Sequence, residues 1–183
     1  MLNLLPSARD WQPAVCGQPC AVATVVGATG SVPRPVGTSM IVSAAGEVLG
    51  SLSGGCVEGA VVEAALQTLH DGGTRRESFG YSAEDAFAAG LTCGGSLDVH
   101  IEQFEFGPSG PLWMKLREPR TQDRAALAMI RRLDREGKDA VVINNPTHFD
   151  VTASAEIAAL LDLIPSQHSA LGAAAAQLEP LLR

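Results

Sequence analysis

The sequence predicts an α/β fold: a mixed sheet with helices packed on it, followed by a mainly helical C-terminal segment. Three observations carry this. Leu97-Asp98-Val99-His100-Ile101-Glu102 alternates strictly between apolar and polar side chains, the period of a half-buried strand. Val57, Val61, Ala65 and Leu69 recur every four residues with Val62 and Leu66 beside them, the apolar stripe of a helix, while Glu58, Glu63 and Gln67 fall off it. Short β-branched runs at Ala21–Val26, Met40–Val42 and Val48–Leu49 are separated by glycine-containing turns.

Taken in order, residues 1–13 are expected to pack as a short segment on the domain. Ala21–Val26 reads as a buried strand. Gly27-Ala28-Thr29-Gly30 follows it, a pattern shared with the phosphate turn of dinucleotide-binding folds. A helix must begin there for that chemistry, and Pro33 and Pro35 deny one by forcing Val32 and Arg34 toward extended backbone. The stretch from Ser31 to Gly37 is therefore expected to be an extended loop. Arg34, stiffened between two prolines, presents a guanidinium suited to a phosphate or carboxylate. Strands at 40–42 and 47–51 come next, then a helix over 56–70 that stops at Gly72-Gly73. A short strand is expected at Ser78–Tyr81 and a short helix at Ser82–Ala89, with Ser82 as N-cap and Gly90 as its end. A strand over 97–104 completes the unit. The breaker cluster Gly107-Pro108-Ser109-Gly110-Pro111 marks a boundary, so the predicted domains are 1–106 and 112–183. In the second, Asp123–Glu136 reads as a helix, Ala140–Ile143 as a strand, and Glu156–Leu163 and Ala170–Leu182 as helices broken at Pro165.

The totals narrow the function. With 46% hydrophobic residues the 183-residue chain can bury a core. A net charge of −7, with no run of Lys and Arg beyond two, argues against nucleic acid or an acidic membrane as the main partner. Cys16 and Cys20 lack the matching ligand pair that zinc requires. The first residues do not have the form of a signal peptide, and no apolar run reaches the ~18 residues of a membrane span. A soluble cytoplasmic protein with reduced thiols is expected.

Chemistry concentrates at two glycine-flanked cysteines. Ser53-Gly54-Gly55-Cys56 lies where a strand run gives way to the helix. The first amides of a helix lack partners within it, the macrodipole adds positive character, and glycines admit a close anion. A thiol there has its thiolate favoured. As plain packing, Gly-Gly makes a tight turn and Cys56 fills space. Cys93-Gly94-Gly95 reverses the pattern immediately before the alternating strand, and two such junctions point to one shared site. Glu58 either orients a bound group or is a first-turn acid stabilised by the dipole.

With both stretches in place the chain resembles the XdhC/CoxI family, accessory proteins of xanthine dehydrogenase and related molybdenum hydroxylases. The matching residues are Ala23-Thr-Val-Val, Gly30-Ser-Val-Pro-Arg-Pro-Val-Gly37, Gly50-Ser-Leu-Ser-Gly-Gly-Cys-Val-Glu-Gly59 and Gly90-Leu-Thr-Cys-Gly-Gly95. The resemblance covers about residues 14–105, and it implies a chaperone that binds molybdenum cofactor (molybdopterin), supports its sulfuration and inserts it into an apo-hydroxylase. It implies Cys56 and Cys93 at the metal, and Arg34, Ser53, Gly54, Gly55, Glu58, Gly94 and Gly95 around the cofactor. It also implies a xanthine dehydrogenase-type client as partner, with a cysteine desulfurase and a second copy of this chain as further candidates. Many members of the family continue into a C-terminal Rossmann domain, and no Gly-x-Gly pattern follows residue 111. The alternative class is a cysteine- or NAD(P)-dependent enzyme, which needs a base near the thiol or a dinucleotide turn.

Overall fold

The computed structural model describes residues 1–80, 95–117, 127–131 and 140–144. The chain divides into two compact units, Met1–Arg117 and Glu118–Arg183.

The first unit is built on β1 (Cys20–Thr29), β2 (Ser39–Ser43), β3 (Val48–Gly50), β4 (Thr74–Gly80) and β5 (Ser96–Phe104). They form one sheet in the order β3-β2-β1-β5-β4. The mixed sheet expected from the sequence is corrected here: each of the four pairings is antiparallel. The reason is topological. The strand–helix–strand succession, which often yields a parallel pair, joins β3 at one edge to β4 at the other. Those two strands run the same way but never meet.

Strand β1 is central because its sequence serves both faces. Ala21, Ala23 and Val25 look toward one side, where they join Met40, Val42, Leu97, Val99 and Ile101 in the main core. Across that face lies the helix Glu58–Asp71, preceded in chain order by the short helices α1 (Leu5–Ala8) and α2 (Gln12–Val15) and therefore α3. It buries Val61, Ala64, Ala65 and Thr68 completely or nearly so, with Val62, Leu66 and Leu69 at the margin. The buried stripe is rotated toward its small residues relative to the sequence expectation. Ala64 and Ala65 meet a sheet face that carries Ala21 and Ala23, so small residues on both sides let the helix seat close. Thr68 tolerates burial by donating its hydroxyl to the Ala64 carbonyl at 2.8 Å. The helix ends at Gly72, whose φ of +76° and amide bond to Thr68 O make a left-handed cap at the predicted place.

The opposite face carries Val22, Ile41, Ser39, His100, Glu102 and Phe104, all buried. The N-terminal segment buries Met1, Leu5, Ala8 and Ala14, as expected of a packed segment. Phe104, Phe106 and Trp113 stack edge to tilted face at 4.7 and 4.9 Å, the last from helix α4 (Pro111–Arg117).

Two loop readings are settled. Strand β1 runs through Gly27-Ala28 to Thr29, pairing with Asp98, Leu97 and Ser96 beyond a bulge between Val25 and Gly27. The dinucleotide-like pattern is thus strand, and Ser31–Thr38 is the loop that returns to β2. Strand β4 begins at Thr74, earlier than the predicted Ser78, because an edge strand with polar alternation leaves little apolar signal.

In the second unit, β6 (Leu127–Arg131) pairs antiparallel with β7 (Ala140–Asn144). The strand at 140–143 was expected; the helix over 123–136 was not borne out. Ala126, Met129, Ile130 and Leu133 fit a helical stripe, but Leu127–Ile130 is also an unbroken apolar run, which periodicity cannot assign. The helices expected at 82–89, 156–163 and 170–182 lie outside the described residues.

Candidate functional site

The Ser51–Gly59 stretch leaves β3 and enters α3, and its geometry is set by one carboxylate. Glu58, the first helical residue, folds back under the turn. Its Oε1 accepts hydrogen bonds from Ser51 Oγ at 2.7 Å and from the amides of Leu52 at 3.1 Å, Ser53 at 2.8 Å and Gly54 at 2.9 Å. Its Oε2 accepts from the Gly55 amide at 2.8 Å and from the Ser53 hydroxyl. Ser53 Oγ in turn accepts the Val57 amide at 3.1 Å, which ties the turn to the residue just ahead of the helix. The backbone can wrap one group this tightly because Gly54 and Gly55 adopt φ of +82° and +126°, values that L side chains resist.

The electrostatics follow from the wrapping. Burial pulls the Glu58 carboxyl upward, but hydrogen bonds from the Ser53 hydroxyl and amide and the Ser51 hydroxyl outweigh it. The pKa lies well below the usual carboxylate range. The sequence reading is corrected on two points. The helix starts at Glu58 rather than Cys56, and the Gly54 and Gly55 amides just ahead of it, expected to admit a close anion, hold the chain's own carboxylate.

Cys56 sits just past the wrapped turn, half-buried, packed beside the main core. It lines a small cleft that opens to solvent. Ser53 and Val57 belong to the same wall. The loop Ser31–Pro33 forms a second wall, Phe79-Gly80 at the end of β4 a third, and Gly95 with Leu97 at the start of β5 a fourth. The structure therefore brings Gly95, from the second cysteine stretch, to the cleft that Cys56 lines. Cys93 and Gly94 lie outside the described residues. Arg34 is exposed on the first loop, one residue past Pro33.

Space is tight where the walls meet. A Cβ on Gly95 would stand 2.6 Å from Ser31 O and 2.8 Å from Thr29 O, and one on Gly80 would stand 2.6 Å from Gly95 O. These glycines permit three backbone segments to converge. Phe79, Gly80 and Val32 were not singled out from the sequence. Gly80 was a single glycine at the end of a polar strand, and only the pairing Gly80↔Ser96 shows what it touches.

Among the described residues, the other cysteines and the histidines do not line this cleft. Cys20 is buried at the start of β1, and burial together with the Glu47 charge pushes its thiol up to about 12. Cys16 is exposed. His70 is exposed at the end of α3, and His100 is buried on the far face of the sheet, 3.5 Å from Glu102. Among the described residues no group of three or more His, Cys, Asp or Glu side chains is placed to hold a metal ion, and no helix is long and apolar enough to cross a membrane.

Comparison with known proteins locates this arrangement. Over 100 residues the chain is 34% identical to the uncharacterized protein YqeB of Escherichia coli K12, covering 55% of this chain and 18% of that one. Over 87 residues it is 32% identical to the molybdenum cofactor insertion chaperone PaoD of the same organism, covering 48% of this chain and 27% of that one. The chain thus spans less than a third of the length of either relative. A crystal structure of a xanthine dehydrogenase from Bacillus halodurans aligns with a TM-score of 0.46 at 28% identity, over 56% of this chain and 30% of that chain. The stretch that holds β1, the proline loop, the wrapped turn and α3 matches the model of the XdhC and CoxI family from residue 16 to residue 80.

Proposed function

We propose that this protein binds molybdenum cofactor at the Cys56 cleft and delivers it to a molybdenum hydroxylase of the xanthine dehydrogenase type during that enzyme's maturation. The observation that carries the reading is a half-buried thiol lining an open cleft within an XdhC and CoxI family domain. Similarity to a relative named as a molybdenum cofactor insertion chaperone supports it.

The residues fit the cofactor at its metal end. A thiolate suits a soft metal or a sulfur-transfer step, and Cys56 is the thiol in the cleft. When bound, the cofactor supplies an oxo- or thio-molybdenum centre. Cys56 holds that centre, and Cys93, two residues before the cleft-lining Gly95, is its partner in the proposal. Ser53 and the backbone at Gly94 and Gly95 line the ligand, and Gly54 and Gly55 shape the turn that presents Cys56. Arg34 pairs with the cofactor phosphate from the rim. An apo-hydroxylase is the recipient, a cysteine desulfurase the sulfur source, and a second copy of the chain a further partner.

The test is direct. Released cofactor is mixed with the purified protein, and the fraction retained after desalting is measured. Wild type is expected to retain it and Cys56→Ala to lose at least about tenfold in affinity, the order seen when one ligand-supporting group is removed. Equal retention by the two proteins removes Cys56 from the site.

A further inference from the structure

We infer that Glu58 is the positioning residue of the Cys56 turn and the standing occupant of its amide cradle, so that a ligand's anionic group is met outside this turn. The inference rests on the cofactor reading above and deepens it.

The turn has the form of an anion site. Four consecutive amides, from Leu52 to Gly55, and two hydroxyls converge on one point. Such a nest ordinarily receives a phosphate or carboxylate from outside. Here the point is filled by a carboxylate that is part of the chain, attached five residues or fewer from most of its donors. A tethered group needs no loss of translational freedom to bind, whereas a free anion must bear that cost to displace it. Each displaced contact would be a charge-assisted hydrogen bond, the stronger kind. The depressed Glu58 pKa fits the same picture. An incoming phosphate would also have to leave Glu58 without its donors in a half-buried place, which carries a desolvation penalty.

Two consequences follow for the cleft. Its other walls are Val32, Pro33, Phe79 and Leu97, which offer an apolar surface beside the Cys56 thiol. A ligand therefore enters by its soft, polarizable end, and its charged end stays toward the rim that bears Arg34. Cys56 itself is held by the wrapped turn: Ser53, which lines the cleft, donates to Glu58 through both its amide and its hydroxyl. Loss of the Glu58 charge then misplaces the thiol without touching it.

The experiment uses the full chain and reads the Gly54 and Gly55 amide resonances by NMR. In wild type they are expected to stay in place as inorganic phosphate is raised to tens of millimolar, against a chloride control. In Glu58→Gln they are expected to move, and cofactor retention to fall at least tenfold while circular dichroism stays native. Saturable phosphate shifts of these amides in wild type overturn the inference. So do unmoved amides in Glu58→Gln, or a folded Glu58→Gln that retains cofactor as wild type does. If that variant does not fold, the wild-type phosphate titration decides alone. Failure of wild type to retain cofactor would instead count against the proposed function, and the amide readout would still stand separately.

Discussion

One pair of glycines shapes the turn before Cys56 and another lines its cleft, and they are glycine for different reasons. Gly54 and Gly55 have positive φ, and a Cβ on either would meet nothing within 4 Å. Gly80 and Gly95 have no room: backbone atoms of the facing segment lie 2.6 Å from where a Cβ would be. The first pair is a matter of conformation, the second of occupied space. The lesson is that glycine-rich sequence around a cysteine does not by itself mean backbone left open for a ligand. At one wall the turn bends around Glu58, and at the other three chain segments close on one another.

The largest effect is expected where space is the constraint. Gly95→Ala puts a methyl group against two carbonyl oxygens that belong to backbone, and these cannot swing aside as a side chain would. Overpacking of this kind costs about 3 kcal/mol, which a denaturant titration would read as a shift in midpoint at unchanged slope. A variant as stable as wild type would mean that the Ser31 loop yields easily, and the contrast between the two pairs would lose its basis. At the other pair the cost should be smaller and should depend on residue type. Gly54→Ala forces a left-handed conformation worth about 1–2 kcal/mol, while Gly54→Asn, better tolerated there, should recover part of it. Equal losses for Ala and Asn would show that space, not φ, governs Gly54 too.

The smallest expected effect concerns pH. Because the folded Glu58 pKa is depressed, its ionisation stabilises the native state fully above the unfolded value of about 4.3, and that contribution fades as pH falls below it. Melting temperatures of wild type and Glu58→Gln should differ by a constant amount from pH 6 to 8 and converge as pH drops from about 4.5 toward 3. Curves that stay parallel throughout would detach the carboxylate's charge from the stability of the turn.

The same contrast explains what was legible in the chain. The alternation of 97–102 and the stripe from Val61 to Leu69 announced β5 and α3, because each gathers its apolar side chains on one face, although β5 also buries His100 and Glu102 on the other. Pro33 and Pro35 correctly argued against a helix after Gly30, since proline acts on local backbone. The helix start was misread by two residues, because nothing local indicates that Glu58 turns back to collect six donors. The helix expected over 123–136 is a strand at 127–131, a choice made by its pairing with 140–144 and not by its own apolar spacing. Of the site, Ser53, Cys56 and Gly95 were named from sequence and do line one cleft, whereas Phe79, Gly80 and Val32 join it only through strand pairing and loop return.

What the sequence determined alone is therefore a set of local commitments: where α3 and the strands with a clear apolar pattern run, where glycine turns fall, and which thiols accompany them. Backbone preference and apolar period act over a few residues, so a few residues suffice to read them. Tertiary structure decided the antiparallel order, the convergence of four segments at Cys56, and the occupant of the amide nest. The first two depend on which distant groups come into contact, and the third on how one turn of a few residues folds back on itself. A carboxylate and a cofactor phosphate present the same chemistry to an amide, and only the folded chain reveals which one is there.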